Sequence, residues 1–294
     1  MSYIVTGGCG FIGSNFVNYL CETTDKTVFV IDKMTYAADE SNINLDYYSS
    51  NRVRNYKCDL AFGCQALDDI LQHNNIEGVF NFAAESHVDN SIAGPRVFVT
   101  SNEVYGALTE DGPSFTENTL IEPNNVYSAT KASAEMLVRS YHKTYGLDVV
   151  TTRCCNNYGP RAHAEKLIPK VITNALNDLP IPVYGKGDNV REWIYVTDHC
   201  RAIKEIFDKG QVSEVYNIGS GIEIKNLDLV KQVLTTLDKP YSLIKFVTDR
   251  LGHDFRYSID SRKFVNLMGG NFDVKGIKEG MELTIQWYKD KHRA

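Results

Sequence analysis

A glycine-rich stretch near the start of the chain constrains the fold most strongly. Ser2–Thr6 is a short apolar run typical of a buried strand, and an amphipathic run over residues 11–20 predicts a helix. Between the two lie Gly7, Gly10 and Gly13 with the spacing GxxGxxG. Glycines let the backbone turn tightly and approach a pyrophosphate, which then lies against the N–H groups of the helix N-terminus. The stretch therefore predicts a strand–turn–helix unit that binds a dinucleotide.

A carboxylate after the next predicted strand, residues 27–31, supports this interpretation. Asp32 follows Gly13 by about 20 residues, the separation at which a carboxylate accepts hydrogen bonds from the adenosine ribose hydroxyls. Such a carboxylate repels a 2′-phosphate, so the sequence favours NAD over NADP. The neighbouring Lys33 weakens that preference only slightly.

Short apolar runs alternate with longer amphipathic ones along the rest of the chain. Further strands are predicted at 78–83, 96–100 and 147–152, and helices at 164–176, 199–209 and 227–237. This alternation predicts an α/β fold with a Rossmann-type doubly wound parallel sheet. Beyond about residue 160 the pattern becomes more irregular, which favours a smaller α/β substrate-binding domain.

The composition excludes several classes of partner. The formal net charge is −6 and no long basic run is present, so nucleic acid and anionic membranes are poor partners. No apolar stretch approaches the ~20 residues of a membrane span, and the chain opens directly on its first strand, so we expect no signal peptide. The seven cysteines lack metal-ligand spacing. We therefore expect no metal, and reduced thiols in a cytoplasmic protein.

Two further motifs carry groups suited to proton transfer. Tyr127 and Lys131 form a YxxxK motif, and residues four apart lie on one face of a helix. A nearby ammonium stabilises phenolate, so we expect Lys131 to lower the pKa of Tyr127 and make it an acid/base. The stretch TSNEVYG follows the predicted strand 96–100, at the sheet edge where ligands are handled. There Ser101 can bind a reacting hydroxyl and Glu103 is a candidate base.

Together with these motifs, several other stretches resemble the extended short-chain dehydrogenase/reductases, and among them the dTDP-glucose 4,6-dehydratases. They are DKMTYA (32–37), NFAAESHVD (81–89), NNYGP (156–160), EKLIP (165–169), REWIY (191–195), YNIG (216–219) and DRLGHDFRY (249–257). The resemblance covers almost the whole chain. It implies an NAD-binding domain at residues 1–160, rejoined by parts of 193–220, and a mainly sugar-nucleotide-binding domain at 161–294.

The resemblance also implies an activity. Tyr127, helped by Ser101 and Lys131, takes the proton of the glucose 4-hydroxyl while NAD accepts hydride from C4. Glu103 removes the C5 proton, water leaves from C6, and the hydride returns to C6. The product is a 4-keto-6-deoxy sugar nucleotide from dTDP-glucose or UDP-glucose, and relatives of this kind form homodimers.

By the same resemblance, the ligand contacts can be assigned residue by residue. The cofactor-binding residues are predicted to be Gly7, Gly10, Phe11, Ile12, Gly13, Asp32, Lys33, Thr35, Asp59, Leu60, Ala83, Ala84, Tyr127 and Lys131. The substrate-binding residues are predicted to be Ser86, His87, Asn156, Asn157, Glu165, Lys166, Leu167, Tyr184, Arg191, Asn217, Arg250, His253 and Tyr257. We do not expect His87 or His253 to act as bases.

The chain departs from the family pattern in two places. Asn102 stands where the family has an Asp, the expected general acid for the departing 6-hydroxyl, so Asn102 predicts slow loss of water unless Glu103 or water substitutes. In addition, only about a dozen residues separate the predicted strands 78–83 and 96–100. They show no helical periodicity, whereas parallel strands are usually joined by a crossover helix. The family carries a longer stretch before Arg96, so we favour an omitted segment over a true deletion.

Three readings stay open. A 4-epimerase or a UDP-uronate decarboxylase of the same superfamily would share the glycine turn and the YxxxK motif. The epimerase has no need of Glu103, and the stretch 249–257 favours the dehydratase. A catalytically weakened NAD- or sugar-nucleotide-binding protein is the third possibility, and Asn102 is its main support.

Overall fold

The computed structural model describes residues 1–83, 102–249 and 253–293, with the backbone only at positions 102 and 293. These residues fall into two compact units. One consists of residues 1–83 with 161–163, and the other of the remaining described residues. The predicted division into two ligand-binding domains at residue 160 stays a prediction.

The first unit is built on a parallel sheet of four strands in the order β3-β2-β1-β4. Its strands are β1 (Ser2–Thr6), β2 (Thr27–Asp32), β3 (Val53–Lys57) and β4 (Ile76–Asn81). Its helices are α1 (Phe11–Thr23), α2 (Leu45–Ser49) and α3 (Gln65–His73). β1 and β2 are apolar almost without interruption, and Ile4, Val28 and Val30 are fully buried. Such runs are typical of parallel strands that are covered on both faces.

Among the described residues, the second unit combines six α-helices with small sheets. The helices are α4 (Val126–Tyr145), α5 (Leu167–Leu176), α6 (Val196–Lys209), α7 (Asn226–Thr236), the short α8 (Arg262–Leu267) and α9 (Ile277–Arg293). The strands are β5 (Thr151–Cys154), β6 (Asn156–Tyr158), β7 (Ile181–Tyr184), β8 (Val190–Tyr195), β9 (Val215–Ile218), β10 (Glu223–Lys225), β11 (Ile244–Val247) and β12 (Arg256–Tyr257).

Pairing of these strands brings distant parts of the second unit together. β8 lies between β10 and β12 and also pairs with β6, while β5 pairs with β9 and β7 with β11. A hydrophobic core of the second unit is formed where α5, α7 and α9 pack together, and it includes Ile172, Val230 and Met281. The amphipathic pattern of α5 and α7 thus accounts for how they pack.

The predicted α/β class with a parallel sheet is confirmed. The predicted first strand has the bounds observed for β1, and the first helix runs on to Thr23. The strand predicted at 147–152 is displaced, because β5 begins only at Thr151. The strand predicted at 96–100 lies outside the described residues. In the described part of the chain no helix is long and apolar enough to cross a membrane.

The cysteines follow the expectation only in part. Cys58 and Cys64 form a disulfide with a Cα–Cα distance of 6.0 Å. The other five are free thiols, and four of them are buried. The expectation of reduced thiols is therefore wrong for Cys58 and Cys64, since a turn after β3 brings these two side chains together, which their spacing alone did not indicate. Among the described residues no His, Cys, Asp and Glu group suits a metal ion.

Candidate active site

The turn between β1 and α1 has room only for glycine at two of its positions. Gly7 has a φ of +66°, and a Cβ placed there would lie 2.6 Å from the Phe82 carbonyl carbon and the Ala83 nitrogen. A Cβ on Gly13 would lie 2.1 Å from the Gly7 oxygen. The turn therefore lies against the end of β4, and larger residues would push the backbone apart.

The N-terminus of α1 is formed by the same turn. Gly10 is the N-cap residue and offers no side-chain hydrogen bond, so the helix opens with Phe11 and Ile12 in its first turn. The first N–H groups of a helix have no intrahelical acceptor, and together with the helix dipole they bind anions. This geometry fits a pyrophosphate.

Asp32 ends β2 beside this turn. Its carboxylate is 7% exposed and accepts hydrogen bonds from the backbone N–H of Cys9 at 2.9 Å and of Met34 at 2.8 Å. These two bonds fix the side chain against the glycine turn. Each carboxylate oxygen can accept a further hydrogen bond, so the arrangement fits ribose hydroxyls.

Other predicted cofactor contacts lie at the same edge of the parallel sheet. Lys33 follows β2, and its Nζ lies 2.7 Å from Asp59 Oδ2 after β3. Leu60 is in the 3₁₀ turn that Asp59 caps, and Ala83 follows β4 and donates its N–H to Thr6 Oγ1 at 3.4 Å. Because Lys33 is paired with Asp59, its charge is partly neutralised, and the case against a 2′-phosphate site becomes stronger. Thr35 lies in the loop that follows, where its carbonyl accepts the Ala38 N–H at 3.0 Å.

Within the second unit, the first turns of α4 carry the YxxxK motif. Asn125 caps the helix and its Oδ1 accepts the Ser128 N–H at 2.9 Å. Tyr127 and Lys131 lie on one buried face, and the Lys131 Nζ is 5.2 Å from the centre of the Tyr127 ring. The helical spacing thus brings the phenol and the ammonium together as predicted.

Glu103 lies in the 3₁₀ helix Asn102–Tyr105 and approaches the start of α4. Its Oε2 accepts a hydrogen bond of 3.4 Å from the Ser128 hydroxyl. Burial raises the pKa of Glu103, and the positive charges of Lys166 and Arg191 oppose that shift. Glu103 therefore belongs to the same buried cluster as Tyr127 and Lys131. We call these three residues with Ser128 the catalytic cluster.

The pKa of Tyr127 is shifted in the direction opposite to the one expected from a neighbouring Lys131. Burial raises the pKa of Tyr127 well above its ordinary value, and the negative charge of Glu103 raises it further. Burial also lowers the pKa of Lys131 to about 7. The prediction that Tyr127 has a lowered pKa is thus wrong here, because both groups lose hydration, which disfavours their charged forms.

Arg191 and Tyr257 lie beside the catalytic cluster. The Arg191 guanidinium donates to the backbone carbonyls of Asp254 at 2.8 Å, Val190 at 2.8 Å and Phe255 at 3.2 Å. Its central carbon lies 4.4 Å from the centre of the Tyr257 ring. The Tyr257 hydroxyl in turn donates to the Asp254 carboxylate. Arg191 is therefore held in place before any ligand arrives.

Asn157 carries a buried acceptor. Its Nδ2 donates to the Cys155 carbonyl at 3.1 Å, whereas its Oδ1 has no hydrogen-bond partner in the described part of the chain. A buried polar atom without a partner is unfavourable. It would be satisfied by a donor from a bound ligand, in keeping with the predicted contact. Asn156 lies next to it in β6.

Asn217 is corrected from a ligand contact to a structural residue. It is fully buried, and its amide nitrogen donates to the carbonyls of Phe115 at 3.0 Å and Asp260 at 3.4 Å. Its Oδ1 accepts the Tyr105 hydroxyl at 2.8 Å. With its hydrogen-bonding capacity used inside the core, Asn217 has no group to offer a ligand.

The other predicted substrate contacts are spread over the second unit. Glu165 and Lys166 are exposed just before α5, while Leu167 packs on the core. His253 forms a hydrogen bond of 2.6 Å with Asp249, and its ring lies 6.5 Å from that of Tyr184. Ser101, Ala84, Ser86, His87, Arg250 and the side chain of Asn102 were also predicted, and they lie outside the described residues.

Three residues of the site were not predicted from the sequence. Ser128 contacts Glu103, Asp254 interacts electrostatically with it, and Cys154 does so with Tyr127 and Lys131. Ser128 and Asp254 both lie inside motifs that were recognised, but the spacing of those motifs gave no sign of the contacts. Cys154 ends β5, and the cysteine spacing that predicted no metal site gave no sign of its place beside Tyr127.

The parallel sheet and the glycine turn with Asp32 define a dinucleotide-binding protein, and the buried Tyr127–Lys131 pair adds a YxxxK helix. In keeping with this, a profile of the NAD dependent epimerase/dehydratase family matches residues 95–219, and one of GDP-mannose 4,6 dehydratase matches residues 4–102.

Among characterised sequences, the low-salt glycan biosynthesis protein Agl12 of Haloferax volcanii is 42% identical, over 98% of both chains. The dTDP-glucose 4,6-dehydratase of Salmonella typhimurium is 38% identical, over 98% of this chain and 92% of its own. The chain therefore belongs to the dTDP-glucose 4,6-dehydratase family, as the sequence motifs indicated. That second alignment spans 337 positions against 294 residues in this chain, so the relative contains segments that this chain lacks.

Solved structures agree with this assignment. The dTDP-glucose 4,6-dehydratase DesIV of Streptomyces venezuelae, solved with NAD bound, is 38% identical with a TM-score of 0.91, over 100% of this chain and 98% of its own. The UDP-glucose 4-epimerase of Thermotoga maritima has a TM-score of 0.88 over 99% of this chain and 100% of its own, but at 24% identity it shares only the fold.

The glycine turn yields a stability prediction. Gly146 at the end of α4 has a similar φ, +68°, and is left-handed, but a Cβ there would meet nothing within 4 Å. Gly146→Ala should therefore lose only the left-handed backbone preference, about 1–2 kcal/mol. Gly7→Ala adds a collision with the end of β4 and should lower the free energy of unfolding clearly more. Urea denaturation of both variants measures the difference, and equal losses would contradict the close approach of the turn.

Proposed function

We propose that this protein is an NAD-dependent dTDP-glucose 4,6-dehydratase. It converts dTDP-glucose into the 4-keto-6-deoxy sugar nucleotide. UDP-glucose, which carries uracil in place of thymine, is the alternative substrate. The observation that carries the proposal is the catalytic cluster, in which a half-buried carboxylate, Glu103, accompanies buried Tyr127 and Lys131. Identity to named dehydratases over nearly the whole chain supports the same activity.

The first unit supplies the residues that would hold NAD. The glycine turn and the N-terminus of α1 suit the pyrophosphate, and Asp32 suits the adenosine ribose. Bound there, NAD would supply the redox chemistry, as the acceptor of hydride from C4 of the sugar and its donor to C6. The chain's own residues must therefore move the protons and exclude water.

Tyr127 is the group that would take the proton of the 4-hydroxyl. Burial raises the pKa of Tyr127, so before it can act as a base the phenol must pass its own proton to Lys131, whose lowered pKa leaves part of it neutral at pH 7. Lys131, with its pKa near 7, lies close enough to stabilise the phenolate as it forms. Ser101 would assist at the same hydroxyl.

Glu103 would then remove the proton from C5, which the new C4 ketone makes acidic. A buried carboxylate has a raised pKa and is therefore a stronger base than an exposed one. Water leaves from C6 as the double bond forms. Asn102 cannot donate a proton to the departing hydroxyl, so protonated Glu103 or a bound water would have to do so.

The substrate's pyrophosphate needs donors in a protein with a net charge of −6. Arg191 is anchored by three backbone carbonyls, and a guanidinium can grip phosphate through two parallel hydrogen bonds. Lys166 and Asn157 are the other candidates among the described residues. An epimerase remains the alternative, but it would leave the burial of Glu103 without a use.

The direct test is mass spectrometry of the nucleotide sugar after incubation with NAD. We expect dTDP-glucose to lose one water with no net formation of NADH, and UDP-glucose to react more slowly. Unchanged substrate with the wild-type chain and product with Asn102→Asp would mean a weakened dehydratase. Unchanged substrate with both chains, or a C4 epimer of unchanged mass, would contradict the proposal.

A second prediction concerns Glu103 as the general base that removes the C5 proton. Glu103→Gln keeps the shape but cannot accept the C5 proton, so kcat should fall by about 10²–10⁴-fold. In the wild type, kcat/KM should fall as the pH drops through the raised pKa of Glu103, because only the carboxylate is a base. The acid limb should therefore lie above the value of about 4.3 expected for an exposed Glu. Exposed Glu122 is the matched control, and Glu122→Gln should leave rate and pH profile unchanged.

We further propose that the chain acts as a homodimer in the cytoplasm. Within the described residues, α4 exposes an apolar stripe of Leu137, Tyr141 and Tyr145, spaced four residues apart, and the two tyrosine rings lie 5.3 Å from one another. An exposed apolar stripe on one helix is typical of an interaction surface.

Light scattering after size exclusion tests this surface. Leu137→Glu should convert the dimer to a monomer, since a charge would be buried in the interface. Leu71→Glu, at an equally exposed leucine on α3, should leave the dimer intact. A wild-type monomer, or a dimer unaffected by Leu137→Glu, would contradict the proposed surface.

A further inference from the structure

Arg153 in β5 is buried, with 3% exposure, and lies between two elements of the catalytic cluster. Its Nε donates to Glu135 Oε2 at 2.9 Å, and its Nη2 donates to the other carboxylate oxygen. Its Nη1 donates to the Tyr105 hydroxyl at 2.5 Å. One planar guanidinium thus joins α4 to the 3₁₀ helix that carries Glu103. We call Arg153, Glu135 and Tyr105 the arginine clamp.

Both ends of the clamp are close to proton-transfer groups. Tyr105 is two residues after Glu103 in the same 3₁₀ helix. Glu135 follows Lys131 by four residues and Tyr127 by eight, so all three lie along one buried face of α4. A shift of Arg153 would therefore move Glu103 relative to Tyr127.

The clamp is itself held from a third side. The Tyr105 hydroxyl donates to Asn217 Oδ1 at 2.8 Å, and the Asn217 N–H donates to Glu117 Oε1 at 2.9 Å. The Tyr105 ring stacks on Phe115 with centres 5.0 Å apart. The phenol thus has one acceptor and one donor in defined places, and its position is determined from two directions.

We propose that Arg153 is a positioning residue, which sets the separation of Glu103 from Tyr127 through Tyr105 and Glu135. The inference rests on the proposed function, because dehydration needs these two groups on one sugar at adjacent carbons. A buried ion pair is seldom more stable than apolar residues of the same volume. What it supplies here is a fixed geometry, and misplacement by about 1 Å can lower a rate by about 10²-fold.

The test compares two matched substitutions. Tyr105→Phe removes only the hydroxyl of the clamp and retains the stacked ring. Tyr216→Phe is the control, because Tyr216 is equally buried, lies next to Asn217 on the opposite face of β9, and loses a comparable hydrogen bond of 3.1 Å from the Gln211 N–H. Tyr105→Phe should lower the melting temperature more than Tyr216→Phe, because it leaves buried Arg153 and Asn217 each without one partner, whereas the exposed Gln211 N–H can bond water.

Only the clamp variant should change the chemistry. For Tyr105→Phe we expect kcat to fall by about 10-fold or more, with KM within about twofold of the wild type. The deuterium isotope effect on kcat, measured with substrate labelled at C5, should rise, because removal of that proton by a displaced Glu103 becomes the slow step. Tyr216→Phe should match the wild type in all three quantities.

Arg153→Lys provides a second variant, since lysine keeps the charge opposite Glu135 but cannot bond both partners as a fork. It should show the same pattern, more strongly. An unchanged isotope effect in Tyr105→Phe and Arg153→Lys, beside an active wild type, would overturn the clamp but leave the proposed function intact. A wild-type chain that forms no dehydrated product would overturn the proposed function and this inference together.

Discussion

Burial of ionisable groups is the constraint on which the second unit depends. Lys131 and Arg153 are buried within one unit, and Glu103 is half-buried beside Lys131. Transfer of a charge into a protein interior is strongly unfavourable unless partners compensate for lost hydration. Arg153 is compensated fully by Glu135 and Tyr105, and its environment is that of a structural ion pair.

The catalytic cluster holds the groups with shifted pKa values. The Ser128 hydroxyl donates a long hydrogen bond to Glu103, and the pKa of Lys131 falls to about 7 because its burial outweighs the nearby negative charge. Groups with perturbed pKa values near neutrality are the ones suited to proton transfer. The structure therefore places Glu135, the partner of Arg153, on the same helix α4 as Tyr127 and Lys131.

This acidic chain offers anionic ligands individual hydrogen-bond donors rather than a basic surface. In the first unit the donors are backbone N–H groups at the start of α1, which carry no net charge. In the second unit Arg191 is oriented by backbone carbonyls and by stacking on Tyr257, so its guanidinium is held in one position. Recognition of a nucleotide sugar thus needs no basic surface.

Short-range features of this protein were determined by the sequence alone. The strand–turn–helix unit, the place of Asp32 and the shared face of Tyr127 and Lys131 depend on spacings within one or two elements, where backbone geometry leaves few alternatives. The family followed from motifs of the same local kind.

Only the tertiary structure decided how distant residues meet. Arg153 reaches Glu135 and Tyr105, 18 and 48 residues away, and Asn217 turned from a predicted ligand contact into a core residue. The direction of the Tyr127 pKa shift was predicted wrongly for the same reason. Proximity of Lys131 can be read from helical spacing, but loss of hydration depends on every element that packs around the side chain, and no local pattern encodes it.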